Sequence, residues 1–228
     1  GANAYLGGYR GAAGIRKNGT ATKLVLKTAD SSNPGTLTAV GSSYGSCPGI
    51  GVDGDEGTVG GNIVIESGKV IARGHDAPGI GCKDDGRTIA NVTITGGTVT
   101  ATGSGGNSAG IGSGKGGTAR DITITGGTVT ATGAGTGAGI GSGGNGTAKN
   151  ISIKGGTVTA TGGSGSRGGA GIGSGANGSV QNIIVLKGKV DATGGHLAAG
   201  IGGAFQASAS FITVGTNKQP LDELIVNA

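Results

Sequence analysis

The sequence predicts an all-β fold, a single-stranded parallel β-helix (β-solenoid) of about seven coils of ~30 residues, capped at both ends. An internal sequence repeat supports this prediction. An isoleucine preceded and followed by glycine recurs every 29 to 32 residues, at Ile50, Ile80, Ile111, Ile140, Ile172 and Ile201. Within each repeat, apolar and polar residues alternate, which is typical of half-buried strands. Glycine bounds the alternating runs, and 58 of the 228 residues are glycine.

One coil extends from Asp121 to about Gly143. Asp121–Thr125 and Thr128–Thr132 each place isoleucine, valine or alanine on one face and threonine on the other, and Gly139–Ser142 adds a third, short extended piece. Coils stacked about 4.8 Å apart would align three apolar columns inside the solenoid. These columns are predicted to be Ile122, Ile151 and Ile183; Val99, Val129, Val158 and Val190; and the repeated isoleucines.

The first coil is longer than the others. Ile15 lies 35 residues before Ile50, and we interpret Ala29–Pro34 as a loop insertion that accounts for the longer spacing. The strands on either side of this loop are predicted at residues 23–27 and 36–39.

The chain is predicted to form a single domain over residues 1–228. Residues 1–28 form an N-terminal cap and first coil, residues 29–203 the repeat body, and residues 204–228 a C-terminal cap. Large side chains are expected to close the two open ends of the core: Tyr5, Leu6 and Tyr9 at the start, and Phe205, Phe211, Leu221, Leu224 and Ile225 at the end.

The composition excludes several classes of partner. The net charge is +5, but only 13% of the residues are charged and the basic ones are scattered without interleaved aromatic residues, so nucleic-acid binding is not expected. No apolar run approaches the roughly 18 residues of a membrane span. We expect a monomer.

The two cysteines, Cys47 and Cys82, lie near the repeated isoleucines of adjacent coils. This placement favours one disulfide, with two separate free thiols as the alternative, because bridged Cα atoms must lie within about 7 Å. Neither cysteine has a recognisable base nearby, so a nucleophilic role is not expected.

An acidic cluster occupies the same two coils. Asp53, Asp55 and Glu56 follow Ile50, and Asp84 and Asp85 follow Ile80 at nearly the same spacing. Carboxylates that stack so closely would repel one another unless a cation shared them, and Ca²⁺ accepts such oxygen ligands. The alternative is a solvated acidic loop pair with Lys83 and Arg87 as countercharges.

Asparagine recurs at one position of the repeat, at Asn91, Asn150 and Asn182, with Asp121 between them and Asn62 before them. Such side chains can hydrogen-bond along a stack of parallel strands. We predict a structural ladder.

The units GGTVTATG, AGIGSG and NVTITGG resemble the glycine-rich β-helical repeats of large secreted and cell-wall proteins of Gram-positive bacteria, of the pectate-lyase-like adhesive or carbohydrate-binding type. The opening GANAYLGGYRGAAGI is similar to the start of such a domain. The resemblance implies an extracellular location, secreted or attached to the cell wall, and it supplies no catalytic residues.

Three classes of function follow. A surface module for adhesion or weak multivalent glycan contact fits the resemblance, and its flat binding face would be Thr98, Thr100, Thr102, Thr128, Thr130, Thr132, Thr157, Thr159 and Thr161. The same array is similar to the Thr-x-Thr faces of ice-binding solenoids, so an ice lattice is the alternative ligand. A polysaccharide-cleaving enzyme would need paired carboxylates on a regular face, where the sequence places none, so we do not expect an enzyme.

Overall fold

The computed structural model describes residues 3–30, 32–215 and 224–227 and contains no helix within them. The strands in chain order are β1 (Ala4–Gly7), β2 (Ile15–Arg16), β3 (Leu24–Leu26), β4 (Thr36–Val40), β5 (Ile50–Val52), β6 (Val59–Ile65), β7 (Lys69–Arg73), β8 (Ile80–Cys82), β9 (Thr88–Ile94), β10 (Thr98–Thr102), β11 (Ile111–Ser113), β12 (Thr118–Ile124), β13 (Thr128–Thr132), β14 (Ile140–Gly141), β15 (Thr147–Thr161), β16 (Ile172–Gly173), β17 (Ser179–Thr193), β18 (Ile201–Gly202), β19 (Ser208–Val214) and β20 (Leu224–Asn227).

The strands stack in three columns, which we call sides 1, 2 and 3. Side 1 is β3-β6-β9-β12-β15-β17-β19, and side 2 is β1-β4-β7-β10-β13-β15-β17-β20. The long strands β15 and β17 pass through the corner between these sides and join them into one 13-stranded sheet. Side 3 is the separate 7-stranded sheet β2-β5-β8-β11-β14-β16-β18. All of these pairings are parallel, which confirms the predicted β-solenoid.

The three predicted apolar columns form the core. Ile122 pairs with Ile151 and Ile151 with Ile183 on side 1, Val99 pairs with Val129 on side 2, and Ile111 pairs with Ile140 on side 3. These side chains are 0 or 1% exposed. Each fully buried isoleucine or valine contributes roughly 1.5–3 kcal/mol, and most of them bury this surface against the adjacent coil. The fold therefore depends on stacking.

Side 3 has an isoleucine followed by glycine because neighbouring backbones approach closely there. Gly141 has φ +137°, and a Cβ built on it would lie 1.8 Å from the carbonyl oxygen of Gly173 in the next coil. No side chain fits in that space. This close approach explains the recurring sequence step.

The first coil joins the same stacks. Ile15 pairs with Ile50 on side 3, and Leu24 pairs with Ile63 on side 1. The insertion lies between β3 and β4, and Ser31 within it is outside the described residues. The register on both sides of the insertion is that of the other coils.

The prediction that Tyr5 and Tyr9 plug the N-terminal end of the core is wrong, because these side chains are 70% and 73% exposed. Leu6, which is 42% exposed, pairs with the buried Ala39 and so lies in the inward-facing row of side 2. Tyr5 pairs with Thr38, whose side chain points outward, so strand alternation directs Tyr5 away from the core. Tyr9 follows β1 in a corner loop, where its side chain projects into solvent.

The C-terminal cap falls partly outside the described residues, which include residues 204–215 and 224–227 of it, so the predicted cap residue Leu221 lies outside them. Phe205 is half-buried, with the guanidinium of Arg167 4.5 Å from its ring centroid. Phe211 is 73% exposed and has φ +56°. It occupies the position that Asn182 takes in the preceding coil, so its ring does not close the core.

Candidate functional site

The nine threonines predicted as a binding face form one array on side 2. Thr98, Thr128 and Thr157 pair directly across β10, β13 and β15, as do Thr100, Thr130 and Thr159, and Thr102, Thr132 and Thr161. Rows lie about 4.8 Å apart, and alternate residues along a strand lie roughly 6.7 Å apart. The structure thus brings all nine together in a grid of three by three, which we call the threonine face.

The threonine face points outward because the residues between its members point inward. In β13, Val129 and Ala131 are buried, whereas Thr128 and Thr130 are exposed. None of the nine hydroxyl groups hydrogen-bonds to another side chain or to the backbone of the residues described. The hydroxyls and methyls are therefore available to water or to a ligand.

Charged and bulky residues bound the threonine face. Lys69, Ile71 and Arg73 of β7 pair with its first strand, and Lys189 and Asp191 of β17 pair with its last. The face therefore covers three coils, about 13 Å along the strands and about 10 Å across them. A single face of this size supplies little contact area, so tight binding requires several copies.

Two further threonines and a tyrosine lie on side 2 beyond β7. Thr36 and Thr38 of β4 align with Lys69 and Ile71, and Tyr5 of β1 aligns with Thr38. Sequence analysis placed a strand at residues 36–39 but did not extend the predicted face to its threonines. The alternation of Thr36 and Thr38 with Leu37 and Ala39 was the signal that could have identified them.

The repeated asparagine position on side 1 forms the predicted ladder from Asp121 to Asn182. The ladder does not extend to the earlier members, since the Asn62 amide donates to the Thr20 carbonyl and the Asn91 side chain makes no hydrogen bond to the described residues. Asn150 Nδ2 donates to Asp121 Oδ1 at 2.8 Å, and Asn182 Nδ2 donates to Asn150 Oδ1 at 3.0 Å. All members have a left-handed backbone: φ is positive at Asn62, Asn91, Asp121, Asn150 and Asn182. Asn and Asp tolerate this conformation better than other residues with a Cβ. Backbone geometry therefore selects the residue type, a reason that sequence analysis did not supply.

The acidic cluster does not converge. Among the described residues, no group of three or more acidic, histidine or cysteine side chains is placed to hold a metal ion. The Asp53 side chain is fully buried, its Oδ1 lies 2.7 Å from Arg16 Nε, and its Oδ2 accepts from the Ala13 N–H at 2.6 Å. The Arg16 contact is an ion pair rather than an aligned hydrogen bond. Asp53 therefore has its own partners.

The other acidic residues have separate surroundings. Asp84 accepts hydrogen bonds from Ser46 Oγ at 3.0 Å and from the Lys115 N–H at 3.2 Å, whereas Asp55, Glu56 and Asp85 are exposed. Arg87 donates to the carbonyls of Gly54, Asp84 and Asp85 rather than to their carboxylates. The geometry gives no support to the predicted calcium site.

The predicted disulfide is not present: Cys47 and Cys82 are free thiols, and both are buried. The register between coils explains this, because Cys82 lies opposite Val52 on side 3 whereas Cys47 lies opposite His75 at a corner. Burial raises the pKa of Cys47 above its ordinary value and raises that of Cys82 to about 12. Both groups are protonated near neutral pH, and a thiol is a poor nucleophile.

Three stacks of parallel strands around a core of aligned isoleucine and valine define a parallel β-solenoid. The family model described as beta helix repeat matches five segments, residues 63–82, 92–115, 122–144, 151–176 and 187–205. The first four segments each run from side 1 through side 2 to side 3, which is one coil. The chain is therefore a parallel β-helix repeat domain.

Comparison with curated proteins and with solved structures gives no match. None of the described residues lies in a helix long and apolar enough to cross a membrane. Because a fold of this kind accommodates unrelated functions, the function has to be argued from side chains.

Proposed function

We propose that this chain is a non-enzymatic binding module that contacts an extended ligand, a glycan surface, through the threonine face. The main support for this proposal is the in-register grid of nine outward threonines, whose hydroxyls make no hydrogen bond to the described residues. A grid of hydroxyls and methyls matches a ligand that itself repeats and offers both polar and apolar groups. A polysaccharide has these properties.

The proposed affinity is low for each module. Hydrogen bonds to exposed hydroxyls replace equally good bonds to water, so the net gain per contact is small. The contact area of three coils does not compensate for the loss of translational freedom on binding. Several modules on one surface would act together, which is consistent with the resemblance to repeats of secreted or cell-wall proteins and with the proposed extracellular location.

Ice binding is the second candidate, and the regularity of the grid is the observation that favours it. The rows and columns have nearly constant spacings in two dimensions because the strands pair without a shift. Such a surface can order water molecules in a lattice. Lys69 and Lys189 limit the grid to three coils, which argues for a weak effect.

One pair of assays tests both candidates. Purified protein is sedimented with insoluble polysaccharides, and separately its effect on the shape and growth of an ice crystal is recorded. Binding to a polysaccharide that is lost in Thr130→Tyr supports the glycan proposal. Ice shaping that is lost in the same variant supports the alternative. Retention of all binding by that variant would contradict both.

A further inference from the structure

All three tyrosines of the chain lie exposed near the N-terminal end of the solenoid. Tyr5, Tyr9 and Tyr44 are 70%, 73% and 75% exposed, although the chain has only five aromatic residues in all. An exposed tyrosine ring offers a ligand both a large apolar face and a polar hydroxyl group. None of these rings packs in the hydrophobic core.

Tyr9, Arg10 and Tyr44 come together. They line one open depression at the corner after side 2, contributed by the first two coils. The Arg10 guanidinium lies 5.2 Å from the centroid of the Tyr9 ring, within the range of a cation–π contact. The depression therefore combines two aromatic faces with a planar cation.

The backbone holds this arrangement in place. Ser42, only 3% exposed, accepts a hydrogen bond from the Gly11 N–H at 3.0 Å and another from the Tyr44 N–H at 3.1 Å. Its own N–H donates to the Ala12 carbonyl at 3.0 Å. One buried serine thus joins the loops that carry Tyr9, Arg10 and Tyr44. Such preorganisation lowers the entropy lost on binding.

Arg10 supplies the positive charge of the depression. It is exposed, and among the described residues no carboxylate forms a salt bridge with it. Its guanidinium is therefore available to an anionic group of a ligand.

We propose that Tyr9, Arg10 and Tyr44 form a binding site for an acidic saccharide. The apolar face of a pyranose ring stacks on a tyrosine ring, and the arginine fork binds a carboxylate through two parallel hydrogen bonds. A specific protein partner would need about 800 Å² on this surface, more than three side chains supply. The site is separate from the threonine face and does not depend on its function.

Polygalacturonate is the probe, with neutral dextran as its comparison, and affinity is measured by gel retardation and by titration calorimetry at low ionic strength. We expect the protein to bind polygalacturonate and not dextran. Tyr9→Ala combined with Tyr44→Ala should weaken binding at least about tenfold. Arg10→Asn should weaken it severalfold, because asparagine tolerates the φ of +46° at this position while the charge is removed.

Two controls separate this site from others. Tyr5→Ala removes an equally exposed tyrosine that does not line the depression, and it should retain polygalacturonate binding. Thr123→Tyr adds bulk to side 1, outside both the depression and the threonine face, and should also retain it. A melting temperature for each variant confirms folding.

Several results would overturn the proposal. The double tyrosine variant could bind polygalacturonate as well as the parent does, or Tyr5→Ala could lose as much affinity. Oligothymidylate could bind more tightly than polygalacturonate, which would identify the rings as a base-stacking platform. Sedimentation could instead show self-association that the double variant abolishes.

Discussion

Asn150 donates its side-chain amide to Asp121 one coil earlier, over 2.8 Å, and both residues have a left-handed backbone, with φ of +55° and +59°. The two properties depend on each other. The left-handed residue interrupts the alternation of side 1 and turns its side chain along the stack, so that it meets the equivalent residue of the next coil. Each rung of the ladder fixes both the strand geometry and the register.

Substitutions at Asn150 separate these contributions. Asn150→Ala should lower the free energy of unfolding by about 2 kcal/mol, because alanine is strained at this φ and removes the side-chain hydrogen bonds to Asp121 and Asn182. Asn150→Gly should cost less, because glycine adopts this φ without strain. Urea unfolding followed by circular dichroism measures both. A glycine variant less stable than the alanine variant would show that backbone strain is not the main cause of the loss.

Gly141→Ala should be among the most destabilising single-methyl changes in the chain. The added Cβ would meet the Gly173 carbonyl of the next coil, and the φ of +137° excludes an L side chain. We expect a loss of about 3 kcal/mol or more. Gly106→Ala is the control, because a methyl group added there would meet nothing within 4 Å, and it should change stability by less than about 0.5 kcal/mol. Equal melting temperatures for the two variants would refute the close-approach explanation.

Thr130→Tyr should abolish binding by the threonine face, since Thr130 lies at the centre of the grid and its partners are Thr100 and Thr159. Thr123→Tyr places the same bulk on side 1 of the same coil and should leave binding unchanged. Polysaccharide sedimentation and ice shaping are compared for both variants. If the two behave alike, the threonine face is not the binding surface.

Protein stability should fall at alkaline pH through Cys82. Its pKa rises from an ordinary 9.0 to about 12 on folding, chiefly by burial, so the folded chain holds the proton more tightly than the unfolded chain does. The contribution is complete below pH 9 and is lost progressively between pH 9 and about 12. Cys82→Ala should show a shallower decline over this window than the parent in a pH series of urea unfolding.

Because Cys47 and Cys82 are not bridged, the stability of the protein should not depend on reductant. We expect two titratable thiols per denatured chain and an unchanged melting temperature with dithiothreitol, because neither thiol is bridged. A lower melting temperature on reduction would instead point to a disulfide. Slow thiol labelling in the folded state, compared with the urea-unfolded state, provides an independent measurement.

Replacing Asp53 or Asp85 by asparagine should have different effects on the free energy of unfolding. Asp53→Asn loses the ion pair with Arg16 at a buried position and should cost about 1–3 kcal/mol, whereas Asp85→Asn changes an exposed residue and should be nearly neutral. Calcium and chelator should leave the melting temperature of the parent unchanged. A calcium-dependent rise in melting temperature that both variants abolish would instead support a calcium site at these residues.

The amino-acid sequence was sufficient to predict the coil, its period and which residues face the core or the solvent. Ile122, Val129 and Ile140 lie in the core as their spacing predicts, and the nine threonines lie on one face. These features follow from strand alternation within one coil and from its repetition, and both are local properties of the chain. The left-handed asparagine position also has a local cause, but alternation alone does not reveal it.

Which side chains contact one another between coils became clear only from the folded chain. Cys47 and Cys82 remain apart, Asp53 pairs with Arg16 rather than lying beside Asp84, and Tyr9 and Tyr44 line one depression at a corner. The physical reason is register. Hydrogen bonds between strands fix the sides, but the corner loops differ in length and in backbone conformation, so equal spacing from an isoleucine does not place two loop residues side by side.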